Sequence, residues 1–466
     1  MIDEYGNEIT WYPKLKNNTR SVTKEIAQLL EDDILSGKLK SGFRLPSQRV
    51  LANFLNVNHS TVTRAFRLCE AKGLILGVTG KGTFVSADAG IPRYLLKEHE
   101  SNIIEMGLVL PLYEVNPLIE SCLRQIQNNI NYNDVLRYVP PEGSAKHRYI
   151  AVKWLQKFNI KADNSNVIIT AGTQNALSVI LTTLFNKGDK IVVDQYTYTG
   201  FKSLATLLGI VLVPVEINEN GINTIQLKEI CEKENVKGIY LIPDCHNPTS
   251  ISLTEHQRKI IAEIVINYNL LLIEDSYYAF ASENLFKPIS FFAPNNSFYI
   301  ASFSKSINPS FRISYLVCAN LYTKKLIAGI NNLTWMASPI NAEIISQMIR
   351  FKFYDEIIKA KRIAIVKRNK LVDEILKDYE ILPNDFSFFR YLKLPQGLGG
   401  RNFELECFKK GVQVFSLDRF SVDKLHSENS VRISISGPKT IHQLKCGLII
   451  IKNILDNFKC SENIII

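Results

Sequence analysis

No apolar run in this 466-residue chain is long enough to cross a bilayer, so a transmembrane helix is not expected. Cysteine is sparse. The eight cysteines are scattered, with no C-x-x-C pair and no cluster with the seven histidines. That pattern argues against a zinc site or other metal centre and against a disulfide framework, and it suits a reducing cytoplasm. The first residues, Met1-Ile2-Asp3-Glu4-Tyr5, are acidic and polar and do not read as a signal peptide. Internal repeats and low-complexity segments are not evident. Hydrophobic residues make up 46% and charged residues 21%, an ordinary balance for a globular protein with one large core and a smaller domain. Acidic residues are almost missing from one stretch. Between 37 and 86 only Glu70 opposes Lys38, Lys40, Arg44, Arg49, Arg64, Arg67, Lys72 and Lys81. Eight minus one places +7 of the net +10 there, an electrostatic footprint for a polyanion.

That stretch carries helical spacing. Val22, Ile26, Leu29, Leu30 and Leu35 predict a first amphipathic helix. Ser47 is placed to cap a second, with Val50, Leu51, Phe54 and Leu55 inward. A turn at Val57-Asn58 leads to a third helix from about Ser60. Val62, Ala65, Phe66 and Cys69 face inward there, and Ser60, Thr61, Thr63, Arg64 and Arg67 outward. Leu74–Gly77 and Gly82–Val85 then predict a hairpin. Two short helices, a hydroxyl-and-arginine face and a hairpin describe a winged helix-turn-helix over residues 1–86. Residues 87–103 read as a linker.

From 104 to 466, strand-like and helical runs alternate. That predicts an α/β domain with a mostly parallel sheet flanked by helices, and a small C-terminal α+β subdomain. In such sheets ligands gather at the carboxyl ends of the strands. Thr170 is followed by Gly172 and Thr173, Asp194 by Tyr198, Pro243 by Asn247, and Glu274 by Asp275 and Tyr278. The run Phe298–Ala301 is followed by Ser302-Phe303-Ser304-Lys305, with Arg312 close behind. A lysine withdrawn from water loses its proton readily and becomes a nucleophile towards an aldehyde. Ser302, Ser304 and Arg312 are suited to a dianion. Together they suit an aldehyde cofactor bearing a phosphate, such as pyridoxal 5′-phosphate (PLP). Taken singly, Asn247-Pro248 also reads as a turn, Asp275 as a helix cap and Tyr198 as core.

Two resemblances attach to these residues. Arg44-Leu45-Pro46-Ser47-Gln48-Arg49, Leu51-Ala52, Ser60-Thr61-Val62 and Gly80-Lys81-Gly82-Thr83-Phe84-Val85 resemble the winged helix of the GntR family of bacterial repressors. The resemblance implies DNA contacts at Arg44, Arg49, Ser60, Thr61, Arg64 and Gly82. Residues 104 to about 440 resemble the fold-type I PLP enzymes, the aspartate aminotransferase superfamily, and the fusion resembles the MocR subfamily of GntR regulators. The implied roles are specific. Lys305 forms the internal aldimine, Asp275 pairs with the pyridine nitrogen, Asn247 and Tyr278 bond the phenolic oxygen, and Tyr198 stacks on the ring. Gly172, Thr173, Ser302, Ser304 and Arg312 hold the phosphate, joined by Tyr138 from a neighbouring subunit. Arg432 clamps an effector carboxylate. Ser250, Ser310, Ser314 and Asp385-Phe386-Ser387 depart from the family's usual glycines. The expectation is a cytoplasmic homodimeric regulator that binds an operator in double-stranded DNA. It would sense an amine or amino acid through aldimine exchange at Lys305. A working aminotransferase with a DNA-binding arm, or a regulator responding to PLP itself, are the alternatives.

Overall fold

The computed structural model describes residues 10–15, 21–35, 38–39, 43–71, 74–78, 82–85, 103–281, 286–422 and 429–462. The expected linker falls almost wholly outside the described residues, as does the hairpin tip at 79–81.

The basic segment forms three helices and a hairpin: α1 (Val22–Leu35), α2 (Gln48–Leu55), α3 (His59–Ala71), β1 (Ile75–Val78) and β2 (Gly82–Val85). The Ser47 hydroxyl caps α2 by accepting from Val50 N. Asn58 opens α3, its Oδ1 accepting from both Ser60 N and Ser60 Oγ at 2.8 Å. Ile26, Leu30, Leu51, Val62, Ala65 and Phe66 close the core, as the spacing predicts. Phe54 departs from expectation. It lies on the exposed side of α2 and meets Tyr12 edge-on, ring centroids 6.4 Å apart. The core has a member that the helical spacing does not predict, Trp11, which comes from the segment before α1 and donates to Asp33 at 2.9 Å. The first hairpin strand lies one residue later than expected, running to Val78, which pairs with Gly82 at the start of β2, itself where the sequence predicts it.

The larger part holds a seven-stranded sheet of β3 (Val167–Thr170), β4 (Lys190–Asp194), β5 (Val211–Val215), β6 (Val236–Leu241), β7 (Leu271–Ser276), β8 (Ser297–Ser302) and β9 (Ser314–Cys318). The spatial order is β3-β9-β8-β7-β6-β4-β5, and β9 alone runs antiparallel to its neighbours. Helices cover both faces, so strand side chains alternate between two apolar layers: Val167 and Ile169 face one cluster and Ile168 the other. The antiparallel β9 matters for the site. Its first residue, Ser314, pairs with Ser302 and Thr170 at the carboxyl ends of β8 and β3. Arg312, just before β9, therefore arrives at the same edge as residues just after the parallel strands.

A long helix, α4 (Phe353–Ile375), leaves this sheet and ties it to a smaller one. That sheet contains β10 (Phe389–Lys393), β11 (Phe415–Ser416) and β12 (Ser430–Ser434) in the order β10-β12-β11, all antiparallel, with α5 (Gly400–Lys409) packed on it. Lys361 and Arg362 of α4 donate to carbonyls of the large domain. Arg368 and Asn369, further along, donate to Ile435, Pro438, Asp385 and Ser387 carbonyls of the small one. No helix among the described residues is long and apolar enough to cross a membrane.

Candidate functional site

The carboxyl edge of the large sheet opens into a cavity of about 320 Å³. Thr173, Tyr198, Asn247, Asp275, Tyr278, Ser302, Ser304, Lys305, Arg312 and Arg432 all line it. Residues as far apart in sequence as Thr173 and Arg432 thus share one pocket, delivered by several different strands. Gly172 stands directly behind. Its φ of +87° favours glycine, and a β-carbon there would sit 2.7 Å from Arg312 Nη2. Arg312, itself held left-handed at φ 48°, lies against the N-terminus of the helix beginning at Thr173, a favourable place for an anion.

The polar inventory is incomplete in an informative way. Asp275 Oδ2 accepts from Tyr240 Oη at 3.0 Å, but Asp275 Oδ1 is buried without a partner, as is Tyr278 Oη. Burial pushes the Asp275 carboxyl up to about 7, opposed by the Tyr240 bond and reinforced by Asp244. A cationic N–H facing Oδ1 and an oxygen beside Tyr278 are the groups that would complete them. A pyridinium ring with a phenolic oxygen carries both, and Thr173, Ser302, Ser304 and Arg312 offer its phosphate hydroxyls and a guanidinium. The residues present fit PLP.

Lys305 follows β8 and opens onto the pocket, its Nζ donating to Val109 O. Burial, then the nearby Arg432 charge, push its amine down to about 8. Beneath it Lys361 Nζ donates to Lys305 O at 2.9 Å and Ile307 O at 2.6 Å, and fixes the loop that presents Lys305. Burial, then Lys305, push the Lys361 amine to about 7. On the opposite wall, Arg432 donates to Asn247 Oδ1 at 2.6 Å and to Gly107 O, and lies 4.5 Å from the Phe420 ring centroid. Arg432 is buried, and its Nε has no partner.

Tyr138 is the one expected cofactor residue the chain does not bring to this pocket. It is 79% exposed and lies against Trp335, ring centroids 5.7 Å apart. On the winged helix, Arg44, Arg49, Ser60 and Arg64 are exposed. Arg44, in the segment before α2, bridges to Phe84 of β2, its Nε 3.3 Å from where a Gly82 β-carbon would be.

Several site residues escaped sequence reading. Tyr240, stacked on Phe201 at 3.8 Å, reads as core in the strand pattern. The segment Gly107–Val109 and the wall formed by Phe415, Arg419 and Phe420 carry no local motif. The family departures have physical consequences too. Ser250 holds φ at 64°, a strained value for a non-glycine. Ser314 Oγ hydrogen-bonds Thr170 Oγ1 at 2.7 Å. Asp385-Phe386-Ser387 is pinned by Asn369, which donates to Asp385 O at 2.8 Å and Ser387 O at 3.1 Å.

Comparison with known proteins agrees with this geometry. Residues 107–444 match the family model described as aminotransferase class I and II. Residues 22–85 match that of bacterial regulatory proteins, gntR family. The chain is 35% identical over 459 residues to the uncharacterized HTH-type transcriptional regulator YdeF of Bacillus subtilis, covering 98% of this chain and 99% of that one. It is 25% identical over 396 residues to the HTH-type transcriptional regulator NorG of Staphylococcus aureus, covering 76% and 84%. Among solved structures, Pyrococcus horikoshii kynurenine aminotransferase, in a complex with PMP, superposes with a TM-score of 0.72 at 22% identity. It covers 79% of this chain and 94% of that one. The last likeness shows the fold. The chain belongs to the HTH-type transcriptional regulators in which a GntR-family DNA-binding domain is joined to an aminotransferase class I and II domain, an architecture consistent with the MocR subfamily.

Proposed function

We propose that this protein is a PLP-dependent regulator that binds operator DNA as a homodimer in the cytoplasm and senses a small amine or amino acid at Lys305. One observation carries the reading. Two buried, unpartnered polar atoms, Asp275 Oδ1 and Tyr278 Oη, line the same pocket as Lys305, in a chain that also carries a DNA-binding winged helix. When bound, PLP supplies an aldehyde that condenses with primary amines and a ring that draws electron density from them.

The chain's own residues do the rest. Asp275, held by Tyr240, would face the ring nitrogen and favour its protonated form. Thr173, Ser302, Ser304 and Arg312 anchor the phosphate, with Gly172 admitting the Arg312 fork. Tyr138, exposed on its own chain, is available to the neighbouring subunit's phosphate site. Lys305 is the amine that would hold the cofactor's aldehyde and that an effector amine would compete with, and Arg432, now bonded to Asn247, would receive the effector's carboxylate. Arg44 and Arg49 hold DNA phosphates, Arg64 reads base edges, and Ser60, Thr61 and Gly82 complete the contact.

An effector can shift DNA binding only by its differential affinity for two states, so operator DNA must change effector affinity by the same factor. The test is an amino-acid titration followed by absorbance, with and without operator DNA, in wild type and Arg432→Ala. Equal affinity in both conditions would reject sensing. Unchanged affinity in Arg432→Ala would reject the carboxylate clamp. A complete set of Lys305, Asp275 and Arg432 also suits a working aminotransferase. Sustained multiple-turnover transfer from amino donor to keto acid would favour that second reading.

A further inference from the structure

The small domain carries one helix that touches both the pocket wall and the winged helix. On α5, Arg401 and Leu405 are four residues apart and share a face. Arg401 Nη1 donates to Gly77 O of β1 at 3.0 Å and to Glu70 Oε1 of α3 at 3.2 Å. Leu405 packs into a small apolar cluster with Phe84 and Leu76 of the hairpin. Phe84 also bridges to Arg44, one of the residues expected to contact DNA. The same helix grips the turn 417–419 at two points. Arg401 Nε donates to Asp418 Oδ2 at 3.1 Å, and Glu404 accepts from Arg419 and from Ser416 N. Arg419 and Phe420 line the pocket, with Phe420 against Arg432. Gly400 is pressed onto the small sheet, where a β-carbon would meet Ser416 Oγ at 2.6 Å and Ser430 O at 2.9 Å, so α5 lies tight against the strand that leads into the turn.

We infer that the Arg401–Leu405 face of α5 is a docking surface for the back of the wing, through which the pocket wall governs the placement of the DNA-binding hairpin. Arg401 is the shared element, bonded at once to the pocket turn through Asp418 and to the DNA-binding domain through Glu70 and Gly77. The coupling rests on the proposed PLP-binding role; the docking itself does not. Arg401 is 37% exposed, so its truncation leaves no buried hole.

Amide hydrogen exchange on the full chain tests both parts. Without ligand, Arg401→Ala and Glu70→Gln are expected to speed exchange in 75–78 and 82–85 by roughly tenfold, leaving α1 unchanged. Wild-type exchange in both variants would overturn the docking surface. With PLP as probe, uptake being followed by absorbance, wild-type hairpin exchange is expected to change and that of Arg401→Ala to be indifferent. An equal response in the two proteins, or none in wild type despite uptake, would overturn the coupling. A chain that takes up no PLP would reject the functional reading and the coupling with it, while the ligand-free comparison still decides the docking.

Discussion

The charge state of Lys305 sets how fast the pocket captures an aldehyde. With its amine pushed down to about 8, roughly one tenth of Lys305 is neutral at pH 7, against roughly 4 in 10,000 for an ordinary lysine. That is a roughly two-hundredfold larger nucleophilic fraction at neutral pH. The rate of PLP capture by apo-protein, followed by stopped-flow absorbance, is therefore expected to climb about tenfold per pH unit up to about pH 7 and flatten above about 8. Borohydride should fix the product on Lys305, and Lys305→Ala should give no reducible band. Arg432→Met sharpens the test. Removing a neighbouring cation raises the amine's pKa, so the flattening should move to higher pH and capture at pH 7 should slow. Burial is the larger cause of the shift and stays in place, so the break should move by less than its full displacement. A rate that climbs unbroken to pH 10, or a break that does not move in Arg432→Met, would refute this account of Lys305.

Arg64→Ala is expected to cost about 1–3 kcal/mol on specific DNA and little on random DNA, measured by fluorescence anisotropy; equal loss on both would make Arg64 a phosphate anchor. Binding to either DNA should weaken steeply with salt, as counterion release requires. Sedimentation should show a dimer, with PLP uptake weakened by Tyr138→Ala, and a fully loaded monomer would contradict the shared phosphate site. Lys361→Met leaves the Lys305 and Ile307 carbonyls without their donor, a loss of about 1–3 kcal/mol for each group in denaturant unfolding. The Lys361 pKa is about 7 folded and near 10.5 unfolded. The unfolded chain therefore binds more protons between those values, and this group's contribution to stability rises with pH across that window. Lys361→Met should flatten that rise. Tyr240→Phe removes the hydroxyl that donates to Asp275 Oδ2 and should weaken PLP binding by roughly tenfold in an absorbance titration.

How far this molecule was legible depended on whether a residue's role is local. The helices of the winged domain obey a 3.6-residue spacing that any continuous segment displays, so Ile26, Leu30, Val62 and Phe66 were placed correctly. Phe54 was not, because it meets Tyr12, more than forty residues upstream, on the exposed side of α2, and nothing near Phe54 announces that contact. In the large domain the strand-end rule brings Thr173, Asn247, Asp275 and Lys305 to one edge from the sequence pattern alone. Arg312 fits the same rule only because β9 runs backwards and its start coincides with its neighbours' ends. The residues that hold the site ready were hidden. Tyr240 looks like any strand aromatic until its hydroxyl is seen on Asp275. Lys361 looks like a solvated helix lysine, yet the chain returns it, 56 positions later, beneath Lys305. Arg401 lies 324 residues from Gly77. Each of these acts through one polar atom on a partner far away in sequence, and such partnerships leave no periodicity. First contacts with a ligand are drawn from recurrent chemistry and can be read as motifs. The groups that orient them, and those that would carry their state to the DNA-binding hairpin, are fixed by tertiary packing and become visible only with the fold.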